Sequence, residues 1–378
     1  MRVAGLFSGV GGIELGLERA GHQTALLCEI DPAAQAVLRN RFPGVLIKSD
    51  VRNVARLPQN VDLITAGFPC QDLSQAGKTK GIFGSRSGLI RHVFRLVETT
   101  RPPWVLIENV PFLLRLQNGR GMTYIVRHFE RLGYRWAYRV VNSMAFGLPQ
   151  RRERVFLLAS NEADPSHYLF ANDESPARRS RSRTARGFYW TEGTKGLGWA
   201  IDCVPTLKGG SALGIPSAPA IWFPDGRFAT PDIRDAERLQ GFPTDWTKPA
   251  ELVERPSHRW TLIGNAVPVP ATRWIGQILN DAPKPHDQDV IELTNGDSWP
   301  NAAFGGPGAD RFMVDIGKWP VARGQRHLHE FLRFDAKPLS LRAIEGFRTR
   351  LLKSSLSRPA SFDLALDKYI RRIARAWT

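Results

Sequence analysis

Residues 61–71 read VDLITAGFPCQ, an apolar run that ends in Gly67, Phe68, Pro69 and Cys70. The run does not alternate with polar residues, which is typical of a strand buried on both faces of a parallel sheet. Gly67 allows the backbone to turn, and Pro69 favours an extended conformation at Phe68. Cys70 is therefore predicted just beyond the carboxyl end of a strand, where open α/β sheets place functional groups. An isolated cysteine is more often a small buried apolar side chain, so the rest of the chain has to distinguish the two interpretations.

Upstream, three predicted strands end in residues that suit a nucleotide-like ligand. The strand at 3–7 leads into a glycine-rich turn at Gly9, where a ligand can approach the backbone and the N-terminus of the next helix. Glu29 follows the next strand, 20 residues beyond Gly9, the offset at which an acidic residue reaches ribose hydroxyls in dinucleotide-binding folds. Asp50 follows the third strand. Because parallel strands end at one edge, these residues predict an adenosine-bearing cofactor, although each carboxylate alone could be a cap or a surface group.

Downstream, polar residues follow the same pattern. The strand at 104–107 ends in Glu108, a candidate acid at the same edge as Cys70. Arg152 and Arg154 alternate into a further predicted strand, so both are expected on one side of it. If that side faces the active-site cleft, the two arginines are functional. Otherwise they belong to a basic cluster that faces solvent, as most such clusters do. Residues 71–88 are rich in glycine, serine and lysine and predict either a loop that closes on substrate or an ordinary surface loop.

Composition sets the broad class of the protein. The 378 residues can form two or more domains, and 42% apolar with 23% charged residues is typical of a globular protein. A net charge of +16 favours a polyanionic partner, nucleic acid first, over a merely basic protein. The absence of a long apolar run predicts no membrane span and no signal peptide, hence a cytoplasmic location. Cys28, Cys70 and Cys203 lack metal-ligand spacing, so a reduced protein without a metal is expected.

Six segments within residues 1–280, about three quarters of the chain, resemble motifs of the DNA (cytosine-5) methyltransferases, in that family's order. They cover the cofactor loop, the nucleophile, two further catalytic motifs and two late motifs. The segments are FSGVGG at 7–12, GFPCQ at 67–71, ENV at 108–110, QRRER at 150–154, ERLQGFP at 237–243 and GNAVP at 264–268.

The resemblance implies an α/β fold: a Rossmann-like S-adenosylmethionine-dependent methyltransferase sheet with a smaller target-recognition domain and a C-terminal, partly helical extension. It implies methylation of carbon 5 of cytosine within a short, specific double-stranded DNA sequence, with S-adenosylhomocysteine as second product and no metal. A monomeric, nucleoid-associated modification enzyme with an independently acting restriction endonuclease is expected. The expected domains are catalytic 1–160, target recognition 161–257, a segment folding back onto the catalytic domain 258–280, and the extension 281–378.

The implied chemistry gives each motif residue a role. Carbon 5 of cytosine becomes nucleophilic after a thiolate adds to carbon 6, which assigns Cys70 as nucleophile on a base flipped out of the stack. Glu108 as acid at ring nitrogen 3 and Arg154 as cation near oxygen 2 would stabilise the ring, with Arg152 in support. The resemblance places the cofactor against Phe7, Gly9, Gly11, Gly12, Glu29, Ile30, Asp50, Val51, Pro69, Leu89, Asn265, Ala266 and Val267.

Basic segments outside these motifs are candidates for DNA contact. Residues 176–186, PARRSRSRTAR, hold five arginines and no acid, which suits phosphates and guanine edges or, alternatively, a flexible linker. The predicted helix at 364–377 has an apolar stripe expected to pack on the protein. Its basic side could contact DNA, serve only structure or bind a protein. A transfer RNA methyltransferase and a catalytically silent DNA-binding relative are the alternative functions. DNA contacts are expected at Gln71, Ser74, Arg178, Arg179, Arg181, Arg183 and Arg186.

Overall fold

A computed structural model gives the fold of residues 1–69, 87–176, 184–192, 194, 196–210, 218–281, 289–294 and 297–375. The predicted nucleophile Cys70 and the predicted DNA contacts Gln71, Ser74, Arg178, Arg179, Arg181 and Arg183 lie outside the described residues, as does nearly all of the predicted closing loop.

Within these ranges the chain alternates short strands and helices. The strands are β1 Arg2–Leu6, β2 Gln23–Cys28, β3 Leu46–Lys48, β4 Leu63–Ala66, β5 Trp104–Asn109, β6 Arg135–Asn142, β7 Gln150–Arg151, β8 Glu153–Ser160, β9 Arg186–Phe188, β10 Ala200–Ile201, β11 Val204–Pro205, β12 Ala220–Trp222, β13 Phe228–Thr230, β14 Val290–Glu292, β15 Ala302–Gly305, β16 Phe312–Val314 and β17 Lys337–Pro338. The helices are α1 Gly12–Glu18, α2 Pro32–Arg41, α3 Ile90–Thr100, α4 Arg120–Arg131, α5 Ser166–Leu169, α6 Ile233–Leu239, α7 His258–Asn265, α8 Val269–Asn280, α9 Leu328–Phe331, α10 Leu341–Leu352 and α11 Ala360–Arg375.

The chain divides into two compact units. The region expected to form one C-terminal extension is shared between them, because its first part joins the first unit and its second part the second. The domain boundaries given from the sequence remain predictions. Unit 1 comprises Met1–Phe146, Glu153–Pro176 and Val267–Arg323, and unit 2 comprises Gly147–Arg152, Ala177–Ala266 and Gly324–Thr378.

Unit 1 is built on a sheet with the order β14-β16-β15-β6-β8-β5-β4-β1-β2-β3 among the described residues. The strands β3, β2, β1, β4 and β5 run parallel. From β5 outward every pairing is antiparallel. The chain leaves β1 toward β2 on one side and returns to β4 on the other, so the strand order reverses between β1 and β4. Crevices at such reversals are the usual ligand sites of open α/β sheets.

The core of unit 1 explains the apolar run at 61–71. All four residues of β4 are buried, because helices cover both faces of the sheet. Leu63 packs into one apolar cluster and Ile64 into the other, as the alternation of side chains along a strand requires. On one face α8 packs closely on α1: a Cβ added at Gly16 would lie 1.9 Å from the Thr272 hydroxyl. The segment from residue 267 onward thus forms part of the core of unit 1.

Unit 2 contains a five-stranded sheet in the order β10-β9-β12-β13-β17 among the described residues. Helices α10 and α11 pack on it, and α11 corresponds to the helix expected at 364–377. Phe362, Leu366 and Tyr369 of α11 are buried with aromatic side chains of the sheet. The prediction that the apolar stripe of this helix packs on the protein is therefore confirmed at Leu366, and this packing fixes the orientation of the helix.

Candidate active site

The turn that precedes Cys70 is held against the end of β5. Gly67 follows β4 directly, and a Cβ added there would lie 3.4 Å from Oε2 of Glu108. The Asn109 side-chain amide donates a hydrogen bond to the Phe68 carbonyl at 3.2 Å. The neighbouring parallel strands β4 and β5 thus bring the Gly67–Pro69 turn and the Glu108 carboxylate together at one edge.

Glu108 and Arg154 form an ion pair at that edge. Arg154 Nε lies 2.9 Å from Glu108 Oε1, and the two side chains are 12% and 9% exposed. Glu108 lies opposite Phe156 in the β5–β8 register, and Arg154 is two residues from Phe156 on β8, so both side chains share one face. Glu108 was predicted to follow its strand but is part of it. The pair places an acid and a fixed cation side by side, and charge-assisted pairs of this kind hold their geometry well.

Arg152 is held differently from Arg154. It lies between β7 and β8, in neither strand, so the expectation that both arginines alternate along one strand was wrong. Its fully buried guanidinium donates to the carbonyls of Leu207 at 2.9 Å, Gly264 at 3.1 Å and Ala266 at 2.6 Å, all within unit 2. These bonds fix the backbone on either side of Asn265. Arg152 is therefore a positioning residue for that segment.

The glycine-rich turn after β1 leaves its backbone open. Phe7, Gly9 and Gly11 have φ of 57°, 54° and 80°, in the left-handed region that is costly for Phe7 by roughly 1–3 kcal/mol. A Cβ added at Gly9 would meet no described atom within 4 Å. The Ser8 hydroxyl is buried without a hydrogen-bond partner among the described residues. An unpaired polar atom in an open, strained turn fits a polar ligand lying on the loop.

Glu29 links this turn to the end of β2. Its carboxylate accepts hydrogen bonds from the backbone of Gly9 at 2.8 Å and of Asp31 at 2.9 Å. Burial raises the pKa of Glu29, while the backbone hydrogen bonds act against that rise. Asp31 also caps α2 by accepting hydrogen bonds from the backbone of Ala33 and Ala34. The Gly9–Glu29 contact brings together the two residues on which the predicted cofactor site depends most.

The other predicted cofactor residues occupy varied environments. Asp50 accepts hydrogen bonds from Arg52, which lower the pKa of its carboxyl, and caps the short turn that begins at Val51. Ile30 is 64% exposed beside Glu29. Gly12, Val51 and Val267 are buried in unit 1, Pro69 and Leu89 are half-buried there, and in unit 2 Asn265 is exposed and Ala266 buried.

The two cysteines that the structure describes are unsuited to nucleophilic catalysis. Cys28 ends β2 and Cys203 precedes β11, and both are buried. Burial raises the pKa of each thiol to about 12. Because the thiolate is the nucleophile, Cys70 is left as the candidate.

The chain is similar to a known protein family and to a known relative. Residues 1–187 match the family model described as C-5 cytosine-specific DNA methylase. The chain is 48% identical to the Type II methyltransferase M2.BsuMI of Bacillus subtilis (strain 168), over 93% of each protein. The chain belongs to the C-5 cytosine-specific DNA methylase family.

Solved structures of methyltransferases share the fold. Dnmt2 methyltransferase of S. pombe matches with a TM-score of 0.53 at 17% identity, over 74% of this chain and 98% of that protein. The Entamoeba histolytica methyltransferase EhMeth matches with a TM-score of 0.54 at 16% identity, over 74% and 98%. These structures confirm the predicted Rossmann-like α/β sheet. The family model and the 48% identical relative confirm the predicted family and the enzyme class of a cytosine-5 DNA methyltransferase. The methyltransferase family also implies use of S-adenosylmethionine and a DNA substrate.

Two residues of this methylase site were missing from the sequence-based set. Asn109 holds the turn before Cys70, and its place directly after Glu108 was the signal that could have identified it. Ser8, in the cofactor loop, gave no signal beyond its position between Phe7 and Gly9. No helix in the part of the chain that the structure describes is long and apolar enough to cross a membrane.

Proposed function

We propose that this methylase modifies carbon 5 of cytosine in a short, specific sequence of duplex DNA and serves as the modification enzyme of a type II restriction-modification system. The printed name of its 48% identical relative supports the type II assignment. A net charge of +16 supports a polyanionic substrate. The transfer RNA and silent-binder alternatives lack a comparable supporting observation. The observation that carries the proposal is the Glu108–Arg154 pair beside the turn that leads to Cys70.

The loop geometry fits S-adenosylmethionine, which supplies an electrophilic methyl group when it is bound. Gly9 leaves room for a ligand near the backbone, and the Ser8 hydroxyl has no hydrogen-bond partner among the described residues. Glu29, whose carboxylate accepts a hydrogen bond from the Gly9 backbone, would accept hydrogen bonds from ribose hydroxyls. Ile30 would cover the adenine with its exposed side chain, and Asp50 would lie near the adenine amino group. Phe7, Gly12, Val51, Pro69, Leu89, Asn265, Ala266 and Val267 complete the proposed set.

The chain's own residues prepare the cytosine. The Cys70 thiolate adds to carbon 6, and the electron pair of the carbon 5–carbon 6 double bond moves into the ring toward nitrogen 3. Glu108 holds a proton at nitrogen 3, and Arg154 stabilises negative charge at oxygen 2. Carbon 5 is thereby activated for methylation. Once carbon 5 carries the methyl group, a solvent water takes the carbon 5 proton, the C–H electron pair re-forms the carbon 5–carbon 6 double bond, and Cys70 leaves as thiolate. The proton on nitrogen 3 returns to Glu108. A paired cytosine is inaccessible to these groups, so the base has to leave the stack.

The test is base-resolution methylation mapping of plasmid DNA from cells that express the protein. The wild type should modify cytosine carbon 5 in one short sequence, and Cys70→Ser should modify none while binding S-adenosylmethionine with near-normal affinity. Cys203→Ala is the matched control, because it removes a buried thiol elsewhere and should retain methylation. Methylation by Cys70→Ser would contradict the covalent mechanism. Unmodified DNA together with modified transfer RNA would contradict the DNA substrate.

The remaining features of the proposal concern organisation. We infer a monomer that acts near the nucleoid in the cytoplasm, and an endonuclease that acts independently of it. The proposed domains are 1–160, 161–257, 258–280 and 281–378. Arg186 is the described member of the proposed DNA-contact set, and its guanidinium lies 4.9 Å from the centre of the Trp222 ring.

A further inference from the structure

Helix α11 presents a continuous basic face, which lies beyond the six motif segments. Lys368, Arg371, Arg372 and Arg375 are exposed, and their spacing of three, four and seven residues places them on one side of the helix. The apolar side of the same helix is buried in unit 2. The helix is therefore fixed, and its basic side faces outward as a surface.

The acidic groups of α11 are already paired with arginines outside the helix. Asp367 accepts a hydrogen bond from Arg348 of α10, and Asp363 pairs with Arg358 at 2.9 Å. Among the described residues, no carboxylate lies within ion-pair distance of Lys368 or Arg371. Lys368 and Arg371 can therefore attract an anionic partner.

This face forms one wall of a cavity of about 870 Å³ within unit 2. The opposite wall is the turn between β12 and β13, where Asp225 lines the cavity. Asp225 is in turn engaged by Arg227 at 2.6 Å, so its charge is offset. Trp222 also lines the cavity, beneath the guanidinium of Arg186. The cations that line this cavity all come from α11.

The arrangement suits a linear polyanion better than a small anion. The cations form a row instead of converging on one point. From Lys368 to Arg375 the row extends about 10 Å at 1.5 Å per residue. That length matches roughly three phosphates of one DNA strand, which are spaced 3.4 Å apart along the axis. Arg372 is ordered over the Tyr369 ring at 5.2 Å, which reduces the entropy lost on binding.

We propose that the basic face of α11 is a docking surface for the phosphodiester backbone of duplex DNA. This surface adds affinity that is independent of sequence, because phosphate contacts position a protein on DNA and carry no base information. The proposal rests on the proposed function in that duplex DNA is taken as the substrate.

The experiment compares two triple variants of the full chain. Lys368→Gln, Arg371→Gln and Arg372→Gln remove three cations from the surface. Lys337→Gln, Arg342→Gln and Lys353→Gln form the matched control, because they remove the same charge from exposed positions elsewhere in unit 2. Affinity for a 30-base-pair duplex is measured from 50 to 300 mM NaCl. The surface triple should bind at least tenfold more weakly at 100 mM, with a salt slope reduced by about 2 to 3, since each phosphate contact contributes about 0.9.

The control triple should lose less than threefold in affinity, with its slope changed by less than about 1. Arg371→Lys with Arg372→Lys keeps the charge and should bind within threefold of wild type. If the surface triple fails to fold, as judged by circular dichroism, the exposed Arg371→Glu variant alone should still lower affinity at least fivefold.

Wild-type affinity and slope in the surface triple, or an equal loss in both triples, would overturn the docking surface and leave the methylation proposal intact. A wild-type protein that neither binds nor methylates duplex DNA would instead contradict the proposed function, and the docking surface with it.

Discussion

Two buried glutamate–arginine pairs, one in each unit, have similar chemistry but different proposed roles, one in catalysis and one in stability. In unit 1, Glu108 and Arg154 meet at 2.9 Å at the edge of the sheet, beside the turn that leads to Cys70. In unit 2, Glu237 and Arg259 also meet at 2.9 Å, but Glu237 is fully buried. Glu237 additionally accepts hydrogen bonds from the backbone and hydroxyl of Thr247 at 2.8 and 2.5 Å.

The difference lies in what surrounds each carboxylate. Around Glu237, hydrogen bonds from two segments of unit 2 consume the acceptor capacity of one oxygen and tie the chain together. Glu108 instead lies beside Gly67, which carries no side chain. Both glutamates belong to segments that resemble family motifs, so a motif match alone does not separate a catalytic residue from a structural one. The surroundings do separate them.

Glu108→Gln should produce the largest change, and it acts on catalysis. The amide keeps the shape of the side chain but cannot supply the proton at nitrogen 3, so kcat should fall about 10²–10⁴-fold. Methyl transfer to a duplex under single-turnover conditions measures this effect. Glu130→Gln is the matched control, because it breaks another glutamate–arginine pair of unit 1, with Arg311, and should leave kcat within twofold. An unchanged rate in Glu108→Gln would remove Glu108 from the acid role.

Glu237→Gln should act on stability instead. Arg259 would lose its buried counter-charge, and breaking such a pair costs about 3 kcal/mol or more. Urea unfolding followed by circular dichroism measures the loss, while kcat at low temperature should stay within threefold. Glu251→Gln removes a more exposed partner of the same arginine and should cost under about 1 kcal/mol. If Glu237→Gln lost activity without losing stability, the two glutamates would not differ as described.

A third buried glutamate extends the comparison, because no arginine among the described residues pairs with it. Glu14 on α1 is fully buried and accepts a hydrogen bond from the Thr65 hydroxyl at 3.2 Å. Burial raises its pKa to about 7 from the ordinary value of 4.5. The folded state therefore binds a proton that the unfolded state releases between pH 4.5 and 7. The free energy of unfolding should fall across that range as pH rises.

Glu14→Gln should remove this dependence, because the amide cannot ionise but can still accept the bond from Thr65. Relative to wild type, the variant should gain about 3 kcal/mol between pH 4 and pH 8. Urea titrations at each pH measure the difference in the free energy of unfolding. A difference that does not change with pH would mean that Glu14 titrates near its ordinary pKa when folded.

The sequence was sufficient where the structure depends on local pattern. The apolar run at 61–71 predicts a buried strand, and the strand is buried because helices cover both faces of the sheet. Gly9 and Glu29 also follow their strands at the predicted edge. Pairings between distant segments could not be predicted. The sheet is extended by β15, whose four residues pair with β6 more than 160 positions earlier in the chain. A four-residue strand carries too little periodicity to signal such a partner.

Arg152 shows the same limit within the site. The period-two rule assumes that a strand continues, but the chain leaves β7 before Arg152 and begins β8 after it. Its side chain is directed by three backbone carbonyls from segments 55 to 114 residues away in sequence. Local spacing contains no information about such partners. Arg154, inside β8, obeys the rule and meets Glu108.

The smallest predicted effect concerns Asn109, which holds the turn beside Glu108. Asn109 donates to the Phe68 carbonyl and accepts from the Val110 backbone, so it holds the turn before Cys70 without touching the base. Asn109→Ala should cost about 1 kcal/mol of stability, as for one buried hydrogen bond. It should lower kcat about tenfold with little change in KM, because a loosened turn misplaces the nucleophile. Asn109→Asp keeps the acceptor for Val110 but loses the donor to Phe68, and should behave like alanine. Normal kcat in both variants would mean that Glu108 and Arg154 do not need a fixed turn beside them.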